Sequence, residues 1–464
     1  MNVIANAYPT DELRALDAAH HLHPFTHGTA LAETGVRVVT GAKGVMLTDS
    51  EGNEILDGMA GLWCCNIGHG RQELAEAAYR QMMELSYYNT FFKSTHPPVV
   101  RLSAKIAEVA PHDLNHVFYA SGGSEANDTN IRLVRHYWAV MGKPEKTVII
   151  SRKNAYHGSA MGSASLGGMV SMHEQGGLPI PDICHIDQPD WWYEGGDMTP
   201  EDFGIERAGQ LRAKIEELGV DRVAAFIAEP VQGAGGVIVP PETYWPEIQK
   251  ICDEYDILLI ADEVITGFGR TGNMFATQTY GIRPDIITIA KGLSSGYAPI
   301  GGSVVSDKVA QVINDAGEFN HGYTYSGHPV SCAVALENIR LLEEEAVVET
   351  VRGVTAPHFS DGWTALGDHP LVGQTAHKGL MGSLTLTPNK AERSGFGDLA
   401  GEIGAICRDH AARLGLVMRA VGDRMIVSPP LTITTDELDL LLTRAKAALD
   451  ATLKDLPSHG GSIA

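Results

Sequence analysis

Hydrophobic positions along the chain follow two rhythms, and the dominant one changes with position. Residues 11–30 carry the three-to-four spacing of a helix. The next stretch, VRVVTGAKGVMLTDSEGNEILDGMAG, reads as short strands joined by turns, with Asp49-Ser50 and Gly52-Asn53 supplying turn chemistry. From about residue 70, helical stretches such as RQELAEAAYRQMMEL alternate with short apolar runs: HVFYA, TVIIS, VAAFIAEP, ILLIADEV, DIITIAKG and GGSVVS. Apolar runs bounded by turns and separated by helices predict a mostly parallel sheet buried on both faces. After about residue 330, SCAVALENIRLLEEEAVVETV reads as one long helix leading into a second, smaller α+β region. The expected fold class is therefore α/β. A large domain spans 69–330, and a smaller lobe is built from both chain ends, 1–68 and 331–464.

Composition narrows the function classes. The 464 residues are too many for one compact core, and no repeat or low-complexity tract breaks the chain up. Lys plus Arg number 35 against 57 Asp plus Glu, a net charge of -22. A duplex binder needs a positive footprint, so no nucleic-acid partner is expected. No run approaches the roughly 18 consecutive apolar residues of a membrane span, and no membrane association is expected. MNVIANAYPTDELRALD lacks the long apolar core of a signal peptide, so a cytoplasmic location is expected. Six cysteines in so long a chain form no disulfide framework. Cys64-Cys65 could be a vicinal disulfide or a thiol site, but reads better as small buried thiols. His20, His21, His23 and His27 could hint at a metal, but no carboxylate or cysteine pattern completes a site, and none is expected.

In open α/β sheets the ligand lies outside the carboxyl ends of the strands, so the residues after each apolar run are where chemistry belongs. HVFYA runs into Ser121-Gly122-Gly123-Ser124 and then a helix, a place where free backbone N–H groups and the helix dipole favour a phosphate. Tyr156 and His157 follow TVIIS and could cover a planar ring or simply cap the core. ILLIADEV delivers Asp262 and Glu263 to a strand end; an acid there needs a cationic partner, a helix to cap, or Arg270. DIITIAKG places Lys291 between an apolar run and a Gly-rich turn, where partial desolvation and nearby cations would lower its pKa and prepare it for a Schiff base. Anion site, stacking aromatic, strand-end acid and strand-end lysine are together the parts that pyridoxal phosphate requires.

These residues sit in motifs that resemble the class III (subgroup II) pyridoxal-phosphate aminotransferases, and among them the pyruvate-using ω-amine transaminases. The resemblance runs nearly end to end, through HHLHPFTHG, DGMAGLWCCNIGHG, YYNTFFKSTHPP, GGSEAND, NAYHGS, EPVQGAGG, ADEVITGFGRTG, AKGLSSGYAPIGG, FNHGYTYSGHP and LVMRAVGDR. It implies the fold type I architecture, with Lys291 as the Schiff-base and proton-shuttling lysine and Asp262 as partner of the pyridine nitrogen. It places Gly123, Ser124 and, from the other subunit of a homodimer, Thr324 at the phosphate. Tyr156 and Val264 would press on the two ring faces, with His157 and Glu229 close to the cofactor. Trp63, Phe25, Phe91, Tyr156 and Ala234 would line the substrate pocket, and Arg419 would swing in to bind the acceptor's carboxylate. Without the resemblance, Arg419 reads as a surface arginine paired with Asp423.

Three positions depart from relatives in this family. Ala234 stands where ornithine- and GABA-type enzymes carry a glutamate that holds the arginine aside, which argues against those substrates. Ile265 replaces a glutamine near the cofactor's phenolic oxygen, and Gly122 replaces a serine on the phosphate side. The expected activity is transfer of an amino group from a primary amine to pyruvate, with preference for the S-amine. An aromatic amine, a polyamine such as putrescine, taurine and a β-amino acid all remain open as donors, and so does dimer against tetramer. A racemase, aminomutase or decarboxylase on the same fold is the main rival; a binding protein that keeps the pocket without turnover is another. A nicotinamide dehydrogenase is disfavoured because no GxGxxG follows the first strand of the central domain.

Overall fold

The structure, a computed structural model, describes residues 9–463. The first eight residues, part of the stretch read as having no leader, and Ala464 lie outside the described residues. Fourteen strands occur among the described residues. Three near the N-terminus, β1 (Val39–Lys43), β2 (Met46–Asp49) and β3 (Glu54–Leu56), form an antiparallel meander. Seven make the central sheet: β4 (Leu114–Ala120), β5 (Val148–Arg152), β6 (Ile183–Ile186), β7 (Val223–Ala228), β8 (Leu258–Asp262), β9 (Ile286–Ile289) and β10 (Gly301–Ser306). The last four, β11 (Val372–His377), β12 (Gly382–Leu386), β13 (Arg419–Val421) and β14 (Arg424–Val427), form an antiparallel sheet of order β11-β12-β14-β13.

The central sheet has the order β4-β10-β9-β8-β7-β5-β6 and is parallel from β9 to β6, with β10 antiparallel to both its neighbours. Every residue of β7, β8 and β9 is buried, as expected of continuous apolar runs covered on both faces. Alternation then sorts side chains between two layers. Ile149, Ile227 and Ile260 pack under Val134 and Trp138 of the helix Gly123–Val140. Ile150, Phe226 and Leu259 point the other way, onto Leu211, Ile215, Trp245 and Ile248 of the helices Pro200–Leu218 and Tyr244–Glu254. The two chain ends meet where Leu56 lies parallel to Leu416, its N–H donating to the Gly415 carbonyl at 2.8 Å.

Two expectations need correction, and a third point is a strand the sequence pattern did not announce. The helical pattern over 11–30 is two helices, Thr10–His20 and Gly28–Thr34. Pro24 lacks an N–H and pushes His23 towards extended backbone, and the His27 ring then caps a new start by accepting from Ala30 N at 3.2 Å. The long helix after residue 330 runs from Pro329 to Glu344 and stops, with Ala346 left-handed at φ 49° before a short Val347–Thr350 turn. Glu343, Glu344 and Glu345 load its negative dipole end with negative charge, which disfavours continuation. β6 is the third: CHI interrupts an apolar run with a cysteine and a histidine, so its periodicity is faint. No helix among the described residues is long and apolar enough to cross a membrane.

Close backbone approach between β10 and the loop before the helix Gly123–Val140 is permitted by Gly301, where a Cβ would lie 2.6 Å from the Gly122 carbonyl carbon. Gly301→Ala is expected to destabilise the fold by about 1–3 kcal/mol, as overpacking does. Gly353→Ala, whose Cβ meets nothing within 4 Å, should stay within about 0.5 kcal/mol. Denaturant midpoints of the two variants check the difference.

Candidate active site

Because β5, β7, β8 and β9 are parallel, their carboxyl ends share one edge, and each delivers at least one functional group there. Tyr156 and His157 lie in the turn after β5, Glu229 directly follows β7, Asp262 ends β8, and Lys291 stands two residues beyond β9. All five line a cavity of about 290 Å³, together with Gly122, Gly123, Ser124 and Val264.

One wall of the cavity is a helix start. Gly122 is the extended N-cap of the 18-residue helix Gly123–Val140, and Glu125 in the first turn accepts from Ser121 N at 2.8 Å. A Cβ on Gly122 would meet nothing within 4 Å, so the loop leaves open space at its cavity side, where the helix's free N–H groups favour an anion. Ser124 Oγ accepts from Ser159 N at 3.1 Å, and Ser159 Oγ lies 3.0 Å from the Tyr156 hydroxyl. The anion wall and the aromatic wall are thereby tied together.

Asp262 is buried and saturated on one side. Its Oδ2 accepts from Asn127 Nδ2 at 2.8 Å and lies 2.7 Å from His157 Nδ1, while Oδ1 accepts from Val264 N at 3.1 Å. Glu263, its neighbour, has a different job. It takes the backbone N–H groups of Ala276 and Thr277 at 3.0 and 2.7 Å and caps the helix Ala276–Tyr280, and burial pushes its pKa up. Arg270 pairs with neither acid; its guanidinium donates to the Leu380 and Pro429 carbonyls and to Asn66 Oδ1.

Lys291 holds a left-handed backbone at φ 43° in a short turn, which projects it into the cavity rather than along the sheet. Burial pushes its pKa below the usual lysine range and Arg419 adds to this, against the opposing pull of Cys64, Asp262 and Glu229. Glu229 accepts from Tyr156 N at 3.1 Å and Gly233 N at 2.9 Å, and burial raises its pKa. Arg419 opens β13 half-buried, its pKa lowered by burial. No carboxylate among the described residues pairs with it, whereas Arg424 in the same hairpin binds Asp190 at 2.7 Å. The expected Asp423 partner is engaged elsewhere, accepting from Gly401 N and Gly404 N at 2.9 Å each.

Residues 30–449 match the family model described as aminotransferase class-III. The chain belongs to the class-III aminotransferases. It is 58% identical to a putrescine–pyruvate aminotransferase of Pseudomonas aeruginosa, over 97% of this chain and 98% of that one. A thermostable (S)-enantioselective omega-transaminase from Thermomicrobium roseum superposes with TM-score 0.93 at 44% identity, covering 96% of this chain and 99% of the other. An omega-transaminase of Pseudomonas jessenii in complex with PMP does so at 0.92 and 38%, covering 95% and 98%.

Class-III aminotransferases are pyridoxal-phosphate enzymes, and the cavity of this family member fits that group. The open space beside Gly122 at a helix N-terminus suits the phosphate. A carboxylate with donors already on its other oxygen faces the same cavity as an unpaired lysine, which suits a ring nitrogen at one end and an aldehyde at the other. Val264 presses against the helix start so closely that a Cβ on Gly123 would sit 3.0 Å from its Cγ2.

Other residues expected at the site fall into three groups. Phe25 is 76% exposed and meets the Tyr156 ring edge-on at 6.4 Å, at the mouth of the cavity. Trp63 does not line the cavity: it is 2% exposed, packed with Met59, Val231 and Ile265, so it backs the wall that Ile265 presents. Ala234 is likewise buried, one residue after Gly233, whose Cβ would press on Ile265. Phe91 and Thr324 stand away from this chain's cavity. Phe91 lies against Gly322, and Thr324 is exposed, its carbonyl accepting from the Tyr87 hydroxyl at 2.6 Å.

Two readings are overturned. Cys64 and Cys65 are only partly buried, and Cys64 lines the cavity, because the Gly61–Leu62 backbone kink turns it towards Lys291; burial raises its pKa. The N-terminal histidines do find a carboxylate: Asp17, one helical turn before His21, lies 3.0 Å from its Nδ1 and 2.7 Å from His23 Nε2. The i, i+4 spacing of Asp17 and His21 was its signal in the sequence. Asn127, Asn130 and Thr288, buried behind Asp262, were marked only by position, Asn127 lying one turn beyond Ser124.

A lowered lysine pKa leaves more neutral amine at pH 7 than an exposed lysine has. Cofactor-stripped protein treated at pH 7 with limiting pyridoxal phosphate and then borohydride should carry its label on Lys291 rather than on exposed lysines such as Lys250. Label spread evenly over surface lysines would show an ordinary amine.

Proposed function

We propose that this aminotransferase moves an amino group from a small primary amine, a diamine of the putrescine kind foremost, to pyruvate, which leaves as alanine. The observation that carries this reading is Arg419: a half-buried guanidinium that interacts electrostatically with Lys291 and Tyr156 and has no carboxylate partner among the described residues. Such a cation suits the carboxylate of a keto acid. Ala234 stands where relatives with other donors carry an acid that holds this arginine aside, which leaves Arg419 available in this reading. The 58% identity to a putrescine–pyruvate aminotransferase supports the donor and the acceptor alike.

In this reading Gly123 and Ser124 at the helix start bind the cofactor phosphate, Tyr156 and Val264 cover its two ring faces, and Asp262 faces the ring nitrogen. His157 holds Asp262 at 2.7 Å, and Glu229 fixes the Tyr156 backbone from below. Pyridoxal phosphate, when bound, supplies the electron sink that the side chains lack. Lys291 Nζ would anchor it and, once the donor amine has displaced it, would take and return the proton at the donor's amine-bearing carbon; burial disfavours the ammonium form, which leaves the amine unprotonated and free to accept that proton. Arg419 orients the acceptor by its carboxylate, and Phe25 shelters the mouth.

The reading includes a homodimer in which Thr324 reaches the phosphate of the partner's site. Leu62, Met82, Met83, Tyr88, Phe92 and Tyr325 are all exposed, an apolar load that a second copy would cover. Tyr87 ties that surface to the Thr324 loop. A division into 69–330 and a lobe of 1–68 with 331–464 is supported by the Leu56–Leu416 pairing. A cytoplasmic location is supported by six free cysteines.

With putrescine and pyruvate, alanine should accumulate in step with loss of amine. Arg419→Ala should lower kcat/KM for pyruvate about ten- to a hundredfold, the worth of a charge-assisted hydrogen bond. For an acceptor without a carboxylate, such as an aryl methyl ketone, it should change by less than about threefold. Equal losses for both acceptors would remove Arg419 from acceptor binding. Turnover of the amine without any keto acid would favour the racemase, aminomutase or decarboxylase reading.

A further inference from the structure

Asp262 must keep one oxygen towards the cavity although nothing in its own strand fixes its side-chain rotation. Asn127 is placed to do so. It lies on the helix Gly123–Val140, one turn beyond Ser124, and its Nδ2 donates both to Asp262 Oδ2 and to the His157 carbonyl at 2.8 Å each. Its Oδ1 accepts from Thr288 Oγ1 at 2.8 Å and from Asn130 Nδ2 at 3.0 Å, and Asn130 Nδ2 also donates to Thr288 Oγ1 at 2.8 Å. Asn127, Asn130 and Thr288 are completely buried. Thr288 sits on β9, opposite Asp262 in the parallel register and three residues before Lys291.

The orientation of the Asn127 amide follows from the two acceptors it faces, the Asp262 carboxylate and the His157 carbonyl. The single proton of the Thr288 hydroxyl goes to Asn127 Oδ1, and the same oxygen receives an amide N–H from Asn130. Turning the Asn127 amide over would set its oxygen against two acceptors, the Asp262 carboxylate and the His157 carbonyl, and lose both of those bonds. The NH2 therefore faces Asp262 permanently. Since Asn127 and His157 both occupy Oδ2, and Oδ1 takes only the Val264 N–H at 3.1 Å, Oδ1 is the oxygen with spare acceptor capacity.

We propose that Asn127 is a positioning residue for Asp262, itself oriented by Thr288 and Asn130, so that a single helix sets both the phosphate end and the ring-nitrogen end of the cofactor site. This rests on the cofactor reading given above. Asn127 touches neither cofactor nor substrate; it acts through Asp262.

The test uses the loaded enzyme as wild type, Asn127→Leu, Thr288→Val and the double variant. Three quantities are read: single-turnover kcat and KM for the amine, the absorbance band of the Lys291-bound cofactor, and the rate of cofactor release. Asn127→Leu should lower kcat about ten- to a hundredfold, with KM for the amine within about threefold. Its absorbance band should be displaced, and cofactor release should be faster. Thr288→Val should act in the same direction but less. In the Asn127→Leu background it should add nothing, because its effect passes through Asn127. Should Asn127→Leu fail to fold, Thr288→Val alone still decides: wild-type kcat, band and release would overturn the proposal. So would wild-type values in Asn127→Leu, or a Thr288→Val effect undiminished in the double variant. Wild-type protein that takes up no pyridoxal phosphate would overturn the cofactor reading and the role of Asn127 with it. Loading of wild type with unchanged variants would overturn only the latter.

Discussion

A carboxylate and an ammonium placed at the ends of neighbouring buried strands attract each other strongly, and an ion pair between them would consume both. Asp262 and Lys291 are in that position, on β8 and just beyond β9, yet no salt bridge joins them. What keeps them apart is the supply of other donors to Asp262. His157, Asn127 and the Val264 N–H take up its oxygens, so the cost of burying the acid is met without Lys291. Lys291 is left half-buried without a hydrogen-bond partner among the described residues, and desolvation then favours its neutral form. The rest of the site follows from that separation.

The fold supplies the donors from three directions. β8 and β9 fix the spacing of acid and lysine through their register, with Asp262 opposite Thr288. The helix Gly123–Val140 brings Asn127 in from one layer, and the turn after β5 brings His157 from the strand side. Glu229, at the end of β7, fixes the backbone of Tyr156 beside it. The antiparallel lobe carries Arg419, which has no carboxylate partner among the described residues, a state unfavourable for a half-buried guanidinium unless an anionic ligand visits it.

Much of this could be read in the chain because the central strands are continuous apolar runs and their next residues are chemically unusual. Asp262, Lys291, Tyr156, His157 and the Gly122-Gly123-Ser124 turn all reach one cavity for that reason. The sheet class followed from the same runs, and only β6, with Cys184 and His185 inside it, escaped. Long-range partners were hidden. That Glu263 caps a helix beginning thirteen residues later, that Asp423 caps another, or that Trp63 backs Ile265 depends on packing between distant segments. Hydrogen-bond direction was hidden too: GGSEAND contains Asn127, but nothing in the spacing says that its amide meets Asp262, 135 residues on.

The most direct measurement is the absorbance of the purified, pyridoxal-phosphate-loaded protein through one full cycle, first with putrescine and then with pyruvate. An unpaired Lys291 facing a fixed Asp262 predicts a long-wavelength band that the amine bleaches and the keto acid restores, and Lys291→Ala should show no such band. A loaded protein whose band withstands every primary amine offered, or a Lys291→Ala variant that keeps both band and cycle, would contradict the central role given to that pair.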